Sequence, residues 1–230
     1  MLIVGQGFKE VFMPGYPADP KGHVLETDFK DREVMEIDFD KSDVHVGRFK
    51  AYDYFGDGSF YILDSPGHAI GHVNALARTH TSPSAFIHLG GDSIHHPGEI
   101  RPTEHLPLPD NINPSPIPNV HATTCPAYIF TPVLRDGSKT KHILEFKDAF
   151  KGWGNDQRFA LIVDDPALRD TIMKDEELDA SEDVFTIIAH DWTLKGIINE
   201  WPASLNEWKE KGWKEHTRWK FLEDFEGVVV

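Results

Sequence analysis

The order of elements in this sequence predicts an α+β fold, on three observations. Between Val34 and Leu89, short apolar or alternating runs follow one another with tight turns between them, the habit of antiparallel strands. Helix signals gather later, after Asp164-Asp165-Pro166 and again beyond Leu205. The 230 residues suit one domain with a sizeable core, and no repeat or composition shift divides them.

Taken in order, Leu2 to Val4 reads as a buried strand stopped by Gly5 and Gly7, and Pro14 to Gly22 as a loop. Val34 to Phe39 alternates apolar and acidic side chains as a half-exposed strand does, and Val44 to Tyr54 follows suit. Phe55-Gly56-Asp57-Gly58 is a hairpin-type turn into Ser59 to Leu63. Val73 to Thr79 and Ser84 to Leu89 form the next strand pair, turning at Thr81-Ser82-Pro83. Prolines dominate from Pro97 to Pro118, which predicts either a cover over a cleft or a solvated connector. Glu145 to Gly152 is expected as a short helix and Phe159 to Val163 as a buried strand. A helix over Pro166 to Lys174 precedes an expected acidic loop, Asp175 to Asp183. Val184 to Ala189 is a strand ending on His190-Asp191, and Leu205 to Phe225 an amphipathic helix broken near Gly212. Its Trp208, Trp213 and Trp219 stand among mixed charges, as packing residues rather than a base-stacking platform.

Composition excludes several functions. A formal charge of −15 argues against a polyanionic partner such as DNA or RNA, whose backbone needs clustered Lys and Arg. The one cysteine, Cys125, rules out an internal disulfide framework and reads as a packed thiol in a reducing compartment. No run approaches the ~18 apolar residues of a membrane span, and Met1 to Val4 is too short for a signal segment. A cytoplasmic location without membrane attachment is the resulting expectation.

The stretch with the most chemistry runs from Tyr61 to Pro102. Two apolar runs, Phe60 to Leu63 and Phe86 to Leu89, each end on a glycine turn that carries a ligand-type side chain. These are His68 after Pro66-Gly67 and Asp92 after Gly90-Gly91. Glycine bends the backbone sharply there and aims the following side chain off the strand end. Imidazole and carboxylate presented side by side at strand ends is a common construction of hydrolytic metal sites.

Pro-Gly-His-x-x-Gly-His (residues 66–72), strand-Gly-Asp (ending at Asp92) and Ala-His-Asp (ending at Asp191) together resemble the metallo-β-lactamase superfamily, in particular its lactonase-like and glyoxalase-II-like hydrolases of fungal type. The resemblance runs from Leu2 to about Trp192. It implies an αββα sandwich holding two divalent ions, most often zinc. By position it implies metal ligation by His68, Asp92 and His190, with Asp92 bridging both ions. It places His95 where a hydrogen-bond donor faces the reacting carbonyl, and His72 as a neighbour that packs or orients a ligand. His96, Glu99 and Arg101 are candidates for lining the same cleft, and Asp191 for bracing the loop.

The family's His-x-His-x-Asp-His loop is missing: of the thirteen histidines, no two are separated by a single residue. In the family that loop precedes a strand like Leu2 to Val4, so the expectation is a sandwich lacking its N-terminal part and four ligands. Two readings follow. One is a metal-activated hydrolase of small esters, lactones or thioesters, impaired in this chain. The other is a catalytically silent module that binds partners or self-associates through apolar surface near Leu2 to Val4. A nuclease is disfavoured by the charge, and no Gly-x-Ser-x-Gly elbow offers a serine nucleophile.

Overall fold

In a computed structural model of the chain, residues 1–22, 24–145 and 163–229 are described. The chain opens with β1 (Leu2–Val4), α1 (Phe8–Phe12) and β2 (Val34–Glu36), followed by the meander β3 (His45–Val46), β4 (Phe49–Asp53), β5 (Phe60–Asp64), β6 (Val73–Thr81) and β7 (Ser84–Leu89). After it come the two-residue strands β8 (Asn111–Ile112) and β9 (Cys125–Pro126), then helix α2 (Asp165–Ala180), β10 (Val184–Ile187) and two short helices, α3 (Trp213–Thr217) and α4 (Glu226–Val229). The fold class is α+β, as the sequence predicts.

Among the described residues six strands make the main sheet, in the order β10-β7-β6-β5-β4-β3. The meander is antiparallel throughout, whereas β10 lies parallel to β7, in register from Val184↔Phe86 to Ile187↔Leu89. Consequently β5, β7 and β10 all end at the same edge of the sheet. Alternation along the strands divides the core. Phe49, Ala51, Leu63 and Leu76 face Leu178 of α2 on one side. Ile62, Phe60, Val73 and Ala75 face the other way, toward Ile3 and Met35. Those two belong to β1 and β2, a separate parallel pair, so the layers are helix, large sheet and small sheet.

Several expected boundaries move for local reasons. The strand from Val34 stops at Glu36, because the Asp38 side chain accepts from Asp40 N (3.1 Å) and starts a 3-10 turn over Phe39–Lys41. The run Val44 to Tyr54 divides at Gly47, which takes φ +54, a left-handed conformation that suits glycine. Leu205 to Phe225 is not a long helix but a series of turns with α3 and a 3-10 segment, although Trp208, Trp213 and Trp219 are buried as packing residues. The expected helix Glu145 to Gly152 and strand Phe159 to Val163 fall largely on 146–162, outside the described residues.

The acidic loop expected at Asp175 to Asp183 is instead the last turns of α2. Asp175 and Asp179 are almost fully buried, and each has found a partner inside the protein. Asp179 accepts from both Arg101 Nε (2.7 Å) and Nη2 (2.6 Å), while Arg101 Nη1 donates to Arg218 O (2.9 Å). Lys214 Nζ donates to the carbonyls of Asp179 (2.8 Å), Ser181 (2.5 Å) and Val184, closing the end of the helix onto β10.

The proline-rich stretch packs into the fold rather than running as a solvated connector, and Thr103, Glu104 and His105 within it line a cleft. Leu108, Ile112 and Ile117 bury themselves with Cys125, Phe130, Trp219, Phe221 and Leu222, forming a second apolar cluster with the C-terminal segment. Its prolines shape a compact irregular layer and leave the apolar side chains to fill it. Cys125 is fully buried in this cluster, a packed thiol whose pKa burial raises.

Candidate metal centre

The site lies at the sheet edge where β5, β7 and β10 end. His68 follows β5 on a turn whose Gly67 has φ +120 and approaches α2 closely, since a Cβ there would stand 2.3 Å from Leu168 N. Thr171 Oγ1 donates to Pro66 O (2.8 Å), and Val163 N and Asp164 N donate to Gly67 O (2.9 and 3.1 Å), so the start of α2 clamps this turn. Asp92 follows β7 on Gly90-Gly91. Beyond the β7–β10 ladder the chains stay joined, with Gly90 N donating to Ile187 O (2.9 Å) and Ala189 N to Gly91 O (3.1 Å). These bonds carry His190 up beside Asp92.

The side chains converge. His190 Nε2 is 3.0 Å from Asp92 Oδ1 and His68 Nε2 is 3.9 Å from Asp92 Oδ2. His95 completes the group: one ligand atom each from Asp92, His95 and His190 lies within 4.8 Å of the others. The His95 ring packs between its neighbours, stacked at 5.2 Å on His190 and tilted at 5.0 Å against His68. Oδ1 of Asp92 is buried yet has no aligned hydrogen bond among the described residues, even with His190 so near. A buried carboxylate oxygen beside imidazole nitrogens suits shared coordination of a cation. The donor set, nitrogen and carboxylate oxygen, fits zinc or a similar divalent ion.

Burial and the neighbouring charge of His68 and then His190 hold the His95 imidazole down to about 4, so it is neutral near pH 7, the state a metal ligand requires. His72 does not join the cluster but sits directly behind it. Its Nδ1 is 3.1 Å from Ser65 O and its Nε2 accepts from Asp92 N (3.1 Å). A carbonyl can only accept, so the proton is on Nδ1 and the ring is neutral. Burial lowers its pKa in agreement. The ring thus ties the β5 turn to the Asp92 turn.

The remaining candidates do not join the cluster. His96 turns away: Nδ1 accepts from Gly98 N (2.9 Å), Nε2 reaches Asp224 (3.1 Å), and the ring packs on Phe221 and Phe225. Asp191 caps the next turn, accepting from Thr193 N (3.0 Å) and Oγ1 (2.5 Å). Arg101 is committed to Asp179 and does not line the cleft. Glu99 is buried beneath it, accepting from His95 N (2.8 Å), and burial raises its carboxyl to about 7. Beside His190 an open, largely apolar recess of about 330 Å³ is lined by Ile187, Ile188, Ala189, Trp192, Leu194 and Ile198, among others. Sequence reasoning missed this recess, because its walls come from an irregular segment with no periodic signal. It also missed Ser93, Asn74 and Asp175, which support the Asp92 turn from inside.

No helix among the described residues is long and apolar enough to cross a membrane. No family model matches the chain, and no solved structure matches it. Curated relatives do. Gamma-lactamase FDB1 of Fusarium pseudograminearum is 43% identical over 225 residues, 97% of this chain and 52% of that protein. Metallo-hydrolase mfmC of Annulohypoxylon moriforme is 39% identical over 224 residues, 97% of this chain and 55% of that protein. Cytochrome P450 monooxygenase mpaDE' of Penicillium brevicompactum is 38% identical over 231 residues, 99% of this chain but 24% of that protein. The chain therefore spans about half the length of the first and second of these and about a quarter of the third. It is a homologue of proteins named gamma-lactamase and metallo-hydrolase, in keeping with the metallo-β-lactamase superfamily that its Pro-Gly-His and Gly-Asp turns resemble.

Proposed function

We propose that this chain carries part of the metal site of a metallo-β-lactamase-type hydrolase acting on small esters, lactones or thioesters. The name gamma-lactamase on a relative at 43% identity adds cyclic amides to that range. The observation that supports it most is the convergence of Asp92, His95 and His190 at one sheet edge, with His68 alongside. In this reading His68, Asp92, His95 and His190 hold zinc, and His95 serves as a ligand rather than as an oxyanion donor. A bound divalent ion supplies a Lewis acid and a water of lowered pKa. The chain's own residues do the rest: Asp92 and the imidazoles offer deprotonated donors, His72 orients the Asp92 turn, and the apolar recess beside His190 receives the carbon part of the substrate. The three observed layers are read as part of an αββα sandwich in a cytoplasmic protein.

With the His-x-His-x-Asp-His loop absent from the sequence, the expected activity of the chain alone is weak. Zinc titration by calorimetry, followed by a lactone, thioester and lactam panel with added zinc, tests the reading. Binding near one equivalent that Asp92→Ala abolishes supports it. An Asp92→Ala protein that binds zinc as well as the unsubstituted chain overturns it. The second reading, a silent binding module, expects an open apolar surface near Leu2 to Val4, but Val4 is buried and Leu2 and Ile3 half-buried there, which leaves Met1, Val11, Tyr16 and Leu25, each about half exposed, as the apolar surface near the N-terminus. Sedimentation over a concentration series checks self-association through that surface.

A further inference from the structure

The inward face of α2 carries a polar stripe at four-residue spacing: Thr171, Asp175 and Asp179, all buried. Such a stripe on a core-facing helix is expensive unless each member is hydrogen-bonded. Here each member holds a different loop. Thr171 holds the Pro66 turn that leads to His68, and Asp179 holds Arg101. Asp175 stands between them and reaches two segments that flank the metal centre. Its Oδ1 accepts from Asn74 Nδ2 (3.1 Å), and its Oδ2 is 2.9 Å from Ser93 Oγ.

Ser93 directly follows Asp92, and Asn74 lies two residues after His72. We propose that Asp175 is a positioning residue for the metal centre, locking the Asp92 turn against the start of β6 through Ser93 and Asn74, and acting as a neutral carboxylic acid. The proposal rests on the metal-site reading above.

Counting protons supports the neutral form. Ser93 Oγ lies 2.7 Å from Gly90 O and 2.9 Å from Asp175 Oδ2, and a hydroxyl has one proton to give. Gly90 O can only accept, so the serine proton belongs there. The bond to Asp175 is then complete only if Asp175 donates. Asn74 Nδ2 also donates to Ser93 Oγ (3.0 Å), which fills the hydroxyl's remaining acceptor position. His88, fully buried with Nε2 3.4 Å from Asp175 Oδ1, is pushed down to about 4 by desolvation and brings no balancing charge. Burial drives the Asp175 carboxyl upward in agreement. The Ser93–Gly90 bond closes the glycine turn, so the whole relay ends on the loop that presents Asp92.

A neutral acid and an ionised one make opposite predictions for asparagine. An amide copies a protonated carboxyl, with one acceptor toward Asn74 and one donor toward Ser93. The test uses the full chain with Asp175→Asn, Asp175→Leu and Ser93→Ala. Leu178→Ala is the control, an apolar truncation on the same helix outside the relay. Amide hydrogen exchange at Asp92 and zinc competition against a chromophoric chelator are read for each. Asp175→Leu and Ser93→Ala are expected to lose Asp92 protection beyond the control and to weaken zinc binding about tenfold or more, while Asp175→Asn stays within about threefold of the unsubstituted chain. If Asp175→Leu and Ser93→Ala fall no further than Leu178→Ala, or if Asp175→Asn falls as far as Asp175→Leu, the proposal is overturned. Should the unsubstituted chain bind no zinc, the metal-site reading fails on that arm, and exchange at Asp92 still decides the role of Asp175.

Discussion

Replacing Arg101 with methionine puts the buried ion pair to a quantitative test. Arg101 is 6% exposed and Asp179 1%, and the pair makes two short parallel bonds with a third from Arg101 to Arg218 O. Methionine fills much of the volume but strands a carboxylate in the interior. Breaking a buried pair from one side costs about 3–5 kcal/mol, and for a domain of this size each kcal/mol moves Tm by about 2–4 °C, so a fall of roughly 10 °C is expected. The pH dependence carries the sign. Burial alone would raise the Asp179 carboxyl, but the Arg101 charge and bonds, with Lys214 and Arg218 adding to them, hold the pKa below the ordinary value. A depressed folded pKa gives stability that is present above the unfolded value and lost as pH falls through the folded one. In Arg101→Met burial is opposed only by the charges of Lys214 and Arg218, so the folded pKa is expected to rise above the unfolded value and protonation to relieve the variant. The Tm gap is therefore widest near neutrality and narrows toward pH 4. Circular-dichroism melts at both pH values measure it. A gap under about 2 °C at pH 7, or one that does not shrink in acid, refutes the argument. Arg101→Met with Asp179→Leu should recover much of the loss, since an apolar pair leaves no stranded charge.

Two further outcomes follow from the turns. His72→Ala removes the acceptor of Asp92 N and the donor to Ser65 O, costing about 2 kcal/mol in urea melts and about tenfold in zinc affinity. Gly67→Ala forces a Cβ to within 2.3 Å of Leu168 N at φ +120, and about 3 kcal/mol with a disturbed His68 environment is expected by melting and by histidine NMR.

The meander and the glycine turns were readable because their signals are local. Apolar runs place strands at Phe60 to Leu63 and Ser84 to Leu89, within a residue of those observed, and the glycines mark where His68 and Asp92 leave the sheet. The polar stripe of α2 was not readable: an acidic run looks solvated until its partners are known, and Asn74 and Arg101 lie 101 and 78 residues from theirs. The burial of the proline-rich layer was not readable for a related reason. Proline reports the absence of regular hydrogen bonding, not the absence of burial, and Ile112 and Ile117 are both 1% exposed. His96 fits the pattern by position alone, its hydrogen bonds to Gly98 and Asp224 turning it away, whereas Asp191 braces its own loop as expected while lining the recess beside His190.

The parallel pairing of β10 with β7 has a consequence for how the site comes into being. β3 to β7 are joined by short turns, so their ladder closes early and at small entropic expense. β10 meets β7 only after the whole stretch from Gly90 to Asp183, with Val184 opposite Phe86. His190 is thus expected to be the last of the candidate ligands to arrive during folding and the first to leave on local opening. Under native conditions amides of β10 should exchange ahead of those of β6. Denaturant should dismantle the metal centre while the meander still stands.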